Sequence, residues 1–258
     1  MYQLSLNIEL LFTSAGDHGD RVRAAAAAGF DAVELWSLAG KDLDSLAEAA
    51  GETGVSITAA VAEYPPKTSF TFPGTDHSGY FAMLDQAIEN AHRIGCPRLV
   101  LASGLGFPGA GRARNLDILA EVFTEAVERT EGSGIGFVLE PVNTRVDHPG
   151  ALLDRTADAV RVARAVGSDR FGILYDLYHS ITEGEHPATE LANAAGLVHY
   201  VQIADVPGRG EPGSGAVDWA AQLGSLKDAG YAGPIGLEYY PTVDSAESVR
   251  HIRTEVER

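Results

Sequence analysis

Gly136-Phe137-Val138-Leu139-Glu140 is a short apolar run that closes on a carboxylate. Three later stretches share the plan of ending on an oxygen-bearing side chain: Gly172-Ile173-Leu174-Tyr175-Asp176, Val198-His199-Tyr200-Val201-Gln202 and Ile235-Gly236-Leu237-Glu238. Helical patterns separate them, so they read as successive strands of one parallel sheet. The steps from Glu140 to Asp176, to Gln202 and to Glu238 are 36, 26 and 36 residues, the size of consecutive strand–helix units. If the sheet closes into a barrel, the four side chains meet in one bowl at its C-terminal face.

Outward from these four, the same alternation covers the chain. Strands are expected near residues 4–10, 32–36, 55–61, 98–102, 136–140, 171–176, 198–203 and 235–239. Amphipathic or alanine-rich stretches at 20–28, 43–50, 79–94, 113–130, 156–166, 188–194, 219–229 and 244–257 predict the helices. Eight of each is the count for a (β/α)8 TIM barrel, an α/β fold, here expected as one domain over residues 1–258. Gly29, Gly54, Gly95, Gly134, Gly167, Gly196 and Gly230 each follow a helical run, where a left-handed cap belongs. An open doubly wound sheet is the rival. It usually has fewer strands, and Thr13-Ser14-Ala15-Gly16-Asp17 after strand one matches no phosphate loop. The longest loops follow strands three, four, five and seven, on the side of a barrel that carries catalytic groups.

The chain has 258 residues, 45% of them apolar, and a formal net charge of -17. That charge argues against nucleic acid or an anionic membrane as the main partner. The sequence lacks the run of about 18 apolar residues that a membrane span needs. The N-terminus enters a strand directly, and a cytoplasmic location is expected. Cys96 is the only cysteine, so thiolate metal sites and disulfides are excluded. A homo-oligomer is compatible with a barrel's outer helices.

Glu140, Asp176, Gln202 and Glu238 together make a hard-cation site. Three carboxylates and an amide oxygen suit Mg²⁺ or Mn²⁺, whereas zinc more often recruits histidine or cysteine. Three acids overcompensate a dication, which leaves a glutamate free to move protons. His179, three residues after Asp176, is placed to donate a hydrogen bond to a substrate oxygen. Alternation turns His199 outward, opposite to Gln202. His18, His77, His92, His148, His186 and His251 lack supporting spacing. Arg145 and Arg209 lie on rim loops of an acidic protein and suit capture of a substrate carboxylate. Glu34 and Trp36 end strand two and could line the bowl or serve as packing and loop anchors. Glu63 and Tyr64 in loop three carry a weaker signal.

Glu140-Pro141-Val142-Asn143-Thr144-Arg145, Tyr175-Asp176-Leu177-Tyr178-His179 and the stretch from Gln202 to Arg209 resemble hydroxypyruvate isomerases. So do Glu211-Pro212-Gly213-Ser214-Gly215 and Gly236-Leu237-Glu238-Tyr239. That family belongs to the xylose-isomerase-like barrels, alongside keto-sugar 3-epimerases. The resemblance implies a catalytic pair, Glu140 and Glu238, a cation held by these two with Asp176 and Gln202, and His179 as a substrate contact. It departs at Tyr200, where relatives often carry histidine, and at Glu34-Leu35-Trp36-Ser37, where they tend to be richer in aromatics. Trp36 and the loop 65–78 are therefore expected to shape a pocket of this chain's own.

The implied reaction interconverts hydroxypyruvate and tartronate semialdehyde. A proton leaves the carbon beside a carbonyl, a cis-enediolate forms, and a proton returns at the neighbouring carbon. A dication stabilises the charge that gathers on the two oxygens. The small-molecule partner is thus a hydroxy-keto acid or keto-sugar, with isomerisation or 3-epimerisation of a longer keto-acid or keto-sugar as the alternative. A non-catalytic ligand-binding barrel and a metal-dependent nuclease are the remaining rivals. The complete glutamate and ligand set counts against the first; the scarcity of histidines and basic surface counts against the second.

Overall fold

The computed structural model describes residues 2–63 and 70–256. Eight parallel strands pair in chain order: β1 (Leu4–Asn7), β2 (Ala32–Ser37), β3 (Ser56–Val61), β4 (Arg98–Leu101), β5 (Gly136–Leu139), β6 (Phe171–Asp176), β7 (Val198–Ile203) and β8 (Ile235–Leu237). The sheet closes where Leu4, Ser5 and Leu6 of β1 meet Ile235, Gly236 and Leu237 of β8. The fold is therefore a single closed eight-stranded (β/α)8 barrel.

Helices α1 (His18–Ala27), α2 (Leu43–Thr53), α3 (Ser78–Arg93), α4 (Arg112–Arg129), α5 (Thr156–Val166), α6 (Leu177–Glu183), α7 (Pro187–Asn193), α8 (Trp219–Asp228) and α9 (Ser245–Val256) flank it. Eight of these nine correspond to the expected ones. α6 is additional among the described residues, for a local reason. Asp176 Oδ1 accepts from the amides of Tyr178 and His179 at 2.7 and 3.2 Å, so the strand turns straight into a capped helix with no connecting loop. β1 is shorter than expected because the amides of Leu10 and Leu11 turn back onto the Asn7 carbonyl. All seven helix-ending glycines have φ between 63° and 84°, the left-handed region that a side chain would disfavour.

Period-two alternation divides the apolar residues into two cores. Outward-facing Phe137, Leu139, Ile173, Tyr175, Val201 and Ile203 pack with the helices in one large cluster. Inside the barrel, Ala59, Val100, Val138, Leu174 and Tyr200 form a separate small layer. Two residues beyond Val138, Leu174 and Tyr200 stand Glu140, just past the end of β5, and Asp176 and Gln202 on β6 and β7. The inner layer is thus the floor on which the polar strand ends rest. The register supports this, since Asp176 lies opposite Gln202 and Gln202 opposite Gly236.

Candidate active site

A cavity of about 590 Å³ opens at the C-terminal end of the strands, and Glu140, Gln202, Glu238, His179 and Arg209 all line it. Asp176 is buried beneath them. Its Oδ1 is occupied by the α6 amides, which leaves Oδ2 turned to the other groups. Oδ2 lies 3.6 Å from His179 Nε2 and 3.6 Å from Arg209 Nη2. One donor atom each from Glu140, Asp176 and His179 falls within 4.8 Å of the others, a cluster able to hold a divalent ion.

Nδ1 of His179 lies 3.1 Å from the Asn143 backbone amide, which can only donate. Nδ1 is therefore the acceptor, and in the neutral ring the proton sits on Nε2. Burial, with Arg209 close by, pushes the ring's pKa down to about 3, so it stays neutral. Its Nε2 faces Asp176 and, at 3.8 Å, Glu140. With the proton on Nε2 the ring is a hydrogen-bond donor aimed at the cavity, and of the three clustered groups the two carboxylates are the ones left to meet an ion.

Gln202 supplies the matching acceptor. Its Nε2 donates to Glu34 at 2.8 Å, while its buried Oε1 has no partner. An orphaned buried amide oxygen beside carboxylates is what a hard cation would satisfy. In chemistry the expected donors suit such an ion; of them Glu140 and Asp176 belong to the close cluster, whereas Glu238, paired with Arg209, does not.

The carboxylates differ in their support. Glu238 Oε2 accepts from Arg209 Nη2 at 2.8 Å; its Oε1 accepts from the Trp36 indole and, at 3.4 Å, from Asn7. Burial raises its pKa and Arg209 opposes the rise. Glu140 has weaker support, and burial together with Glu238 and Asp176 lifts it well above the usual carboxylate range. Asp176 is pushed up to about 6 by burial, against Arg209 and the α6 amides. Burial alone would lower the Arg209 pKa, but Glu238, Asp176 and Glu140 together raise it, so the guanidinium is a fixed cation. Its backbone is left-handed at φ 55°, and its guanidinium lies 4.9 Å from the centre of the Tyr178 ring.

Arg145 is placed differently from Arg209. Its side chain is 60% exposed, it pairs with Glu183 at 3.3 Å, and it is not among the residues lining the cavity. The physical reason is the rim position: Glu183, at the end of α6, offers a nearer anion than the bowl. His199 is half-buried at the opposite end of the barrel, beside Arg98 and Arg170. Glu63 accepts from Ser37 at 2.7 Å and steadies the turn after β2. Tyr64 and residues 65–69 of the loop 65–78 lie outside the described residues, as does the side chain of His251.

Glu34 and Trp36 both line the cavity, and Glu34 is only 1% exposed. Burial and the charge of Glu238 raise its pKa to about 8. Asp147 and His148 also line the cavity, with the His148 ring centre 5.3 Å from that of His179. Sequence spacing carried no signal for these two, because they sit in a loop without periodicity. The only available hint was their nearness to Asn143, the residue that fixes the His179 ring.

The xylose isomerase-like TIM barrel family model matches residues 22–255. The chain is 31% identical to the candidate hydroxypyruvate isomerase of Homo sapiens, over 99% of this chain and 96% of the relative. It is also 31% identical to the 2-oxo-tetronate isomerase of Cupriavidus necator, over 93% and 94% respectively. Among solved structures, an AP endonuclease, family 2, from Brucella melitensis superposes with a TM-score of 0.88 at 25% identity, covering 98% of this chain and 99% of that one.

Proposed function

This chain belongs to the xylose-isomerase-like TIM-barrel family and is related to the hydroxypyruvate and 2-oxo-tetronate isomerases, and from that premise we propose that it isomerises a small hydroxy-keto acid by proton transfer between adjacent carbons. Hydroxypyruvate, giving tartronate semialdehyde, is the first candidate substrate. The observation that carries the reading is the meeting of Glu140, Gln202 and Glu238 around one cavity, over Asp176, with the Gln202 oxygen unpartnered.

Glu140, Asp176, Gln202 and Glu238 would hold Mg²⁺ or Mn²⁺. Bound there, such an ion supplies Lewis-acid stabilisation of charge on substrate oxygens. The chain's own groups do the rest. Glu140 and Glu238 move the proton, one taking it from carbon and the other returning it. Their unequal support suits that division, since the arginine-paired Glu238 favours the carboxylate and the isolated Glu140 the acid. His179 donates from Nε2 to a substrate oxygen and stays neutral while doing so. Arg209 meets the substrate carboxylate; Arg145, paired with Glu183 on the rim, stands outside the cavity lining.

Cavity size favours a second substrate within the same chemistry. About 590 Å³ is ample for a three-carbon acid and leaves room for a longer one, such as a four-carbon 2-oxo acid. A nuclease role draws no support from a net charge of -17.

Proton NMR in D₂O tests both readings, with hydroxypyruvate and a four-carbon 2-oxo-tetronate offered in turn, before and after chelation and Mn²⁺ return. Product carrying solvent deuterium is expected. Glu140→Gln and Glu238→Gln should each lose at least about 100-fold in turnover while remaining folded. Near-normal turnover in either variant would remove that residue from the mechanism, and inert substrates throughout would sink the isomerase reading.

A further inference from the structure

We propose that Glu34 is a positioning residue that locks the Gln202 amide with its oxygen toward the cation position, in space that Gly236 leaves open. This rests on the reading of Gln202 as a cation ligand.

A glutamine amide has two ends of nearly equal size, and only the oxygen binds a cation. Nothing in Gln202 itself decides which end faces the cavity. Glu34 decides it from behind, because its Oε1 accepts from Gln202 Nε2 at 2.8 Å. An acceptor oxygen there, which Oε1 remains even when the proton of the neutral acid sits on Oε2, selects the NH₂ and leaves Oε1 of Gln202 facing away. A glutamine at position 34 could instead offer its own N–H to that oxygen, and the pair could flip.

Glu34 is itself held firmly. Its Oε2 accepts from the Tyr200 hydroxyl at 2.6 Å, and its Oε1 also accepts from Asn7 at 3.1 Å. The Tyr200 hydroxyl lies 2.8 Å from that of Thr58, which lies 2.6 Å from that of Ser5. This column of buried hydroxyls ends on Glu34. Asn7 reaches Glu238 too, at 3.4 Å, so one anchor serves two groups of the site. A buried carboxyl is expensive to keep, and orientation of the amide gives it a purpose.

Gly236 is an independent sign that the pair is built in. A Cβ at that position of β8 would fall 2.3 Å from Glu34 Oε2 and 2.8 Å from Gln202 Cγ. Even alanine there would push both partners out of place.

Calorimetric titration with Mn²⁺ tests the lock, using wild type, Glu34→Gln, Gln202→Ala, the double variant and Gly236→Ala. Glu34→Gln should weaken Mn²⁺ about 10- to 100-fold, the usual range for an outer partner of a ligand. Gln202→Ala should cost at least as much, and the double variant no more than Gln202→Ala, since both act through one contact. Gly236→Ala should follow Glu34→Gln, and it carries the test if the latter fails to fold. Undiminished affinity in both, or additive losses in the double variant, would overturn the positioning role while leaving the cation site standing. No Mn²⁺ binding by wild type, or unchanged affinity in Gln202→Ala, would bring down the underlying site instead.

Discussion

The Asn143 amide, 3.1 Å from His179 Nδ1, makes the ring's neutrality a matter of stability as well as chemistry. The folded pKa of about 3 lies below the ordinary 6.5, so the unfolded chain binds a proton that the folded one refuses. Stability from this group is present above pH 6.5 and falls as pH drops toward 3. The loss should reach about 2 kcal/mol by pH 5. Asp176 works the other way: raised to about 6, it gives stability that is lost as pH rises through that value. Denaturant titrations of wild type and His179→Gln at pH 7 and pH 5 separate the two. The gap between them should shrink by about 2 kcal/mol at the lower pH, and a constant gap would contradict the ring's neutrality. The placement of side chains was legible in the sequence at the ends of the later strands. Glu140, Asp176, Gln202 and Glu238 follow from counting strand–helix units, and four separate strands bring them to one place. Glu34, Asn7 and Tyr200 were not legible as a network. Their bonds cross from β1 and β2 to β7, over 166 residues between Glu34 and Tyr200, and nothing local announces such pairing.

Loop seven, between β7 and α8, is built around one carboxylate. Asp205 is fully buried and accepts from the amides of Val206, Gly213 and Val217 at 2.8, 2.7 and 3.1 Å, and from the Trp219 indole at 3.1 Å. Burial works against its charge, but these donors hold its pKa below the usual range. Its carbonyl also accepts from the Arg209 amide at 3.1 Å, so the same residue aims Arg209 at the cavity. Asp205→Ala strands four donors and should cost about 3 kcal/mol in chemical denaturation. It should also raise KM for an acid substrate more than it lowers kcat: the Asp205 carbonyl that meets the Arg209 amide is kept, but the loop carrying both loses its side-chain ties and Arg209 shifts rather than disappears. An unaltered KM would show that Arg209 is aimed by other means. Loop seven was legible as long and charged, but not as a knot, because its ligands are backbone amides that composition does not mark. α6 was missed for a related reason: Leu177–Glu183 is a seven-residue helix that starts directly after the last residue of a strand, and that residue, its cap Asp176, had already been read as a site residue. The remaining strands and helices were legible because alternation and glycine caps are local signals.

Across the whole molecule, a net charge of -17 surrounds a cavity whose lining includes one arginine. An anionic substrate approaches against that field, and salt screens it. kcat/KM for a keto acid should therefore rise between about 20 and 150 mM monovalent salt, where the screening length shortens toward ~8 Å. A neutral keto-sugar should show no such rise, and a fall with the acid would mean that local attraction by Arg209 outweighs the global field. Among the described residues no helix is long and apolar enough to cross a membrane. The closure of β1 on β8 has a further consequence. Every strand of the ring has a neighbour on both sides, so among the described residues the barrel offers no open edge onto which another chain could add a strand. A chain that has not yet laid down β8 is in the opposite condition, with β1 and β7 both exposed along apolar edges. Refolding by dilution should accordingly lose yield steeply as protein concentration rises, while the folded barrel at the same concentration stays clear.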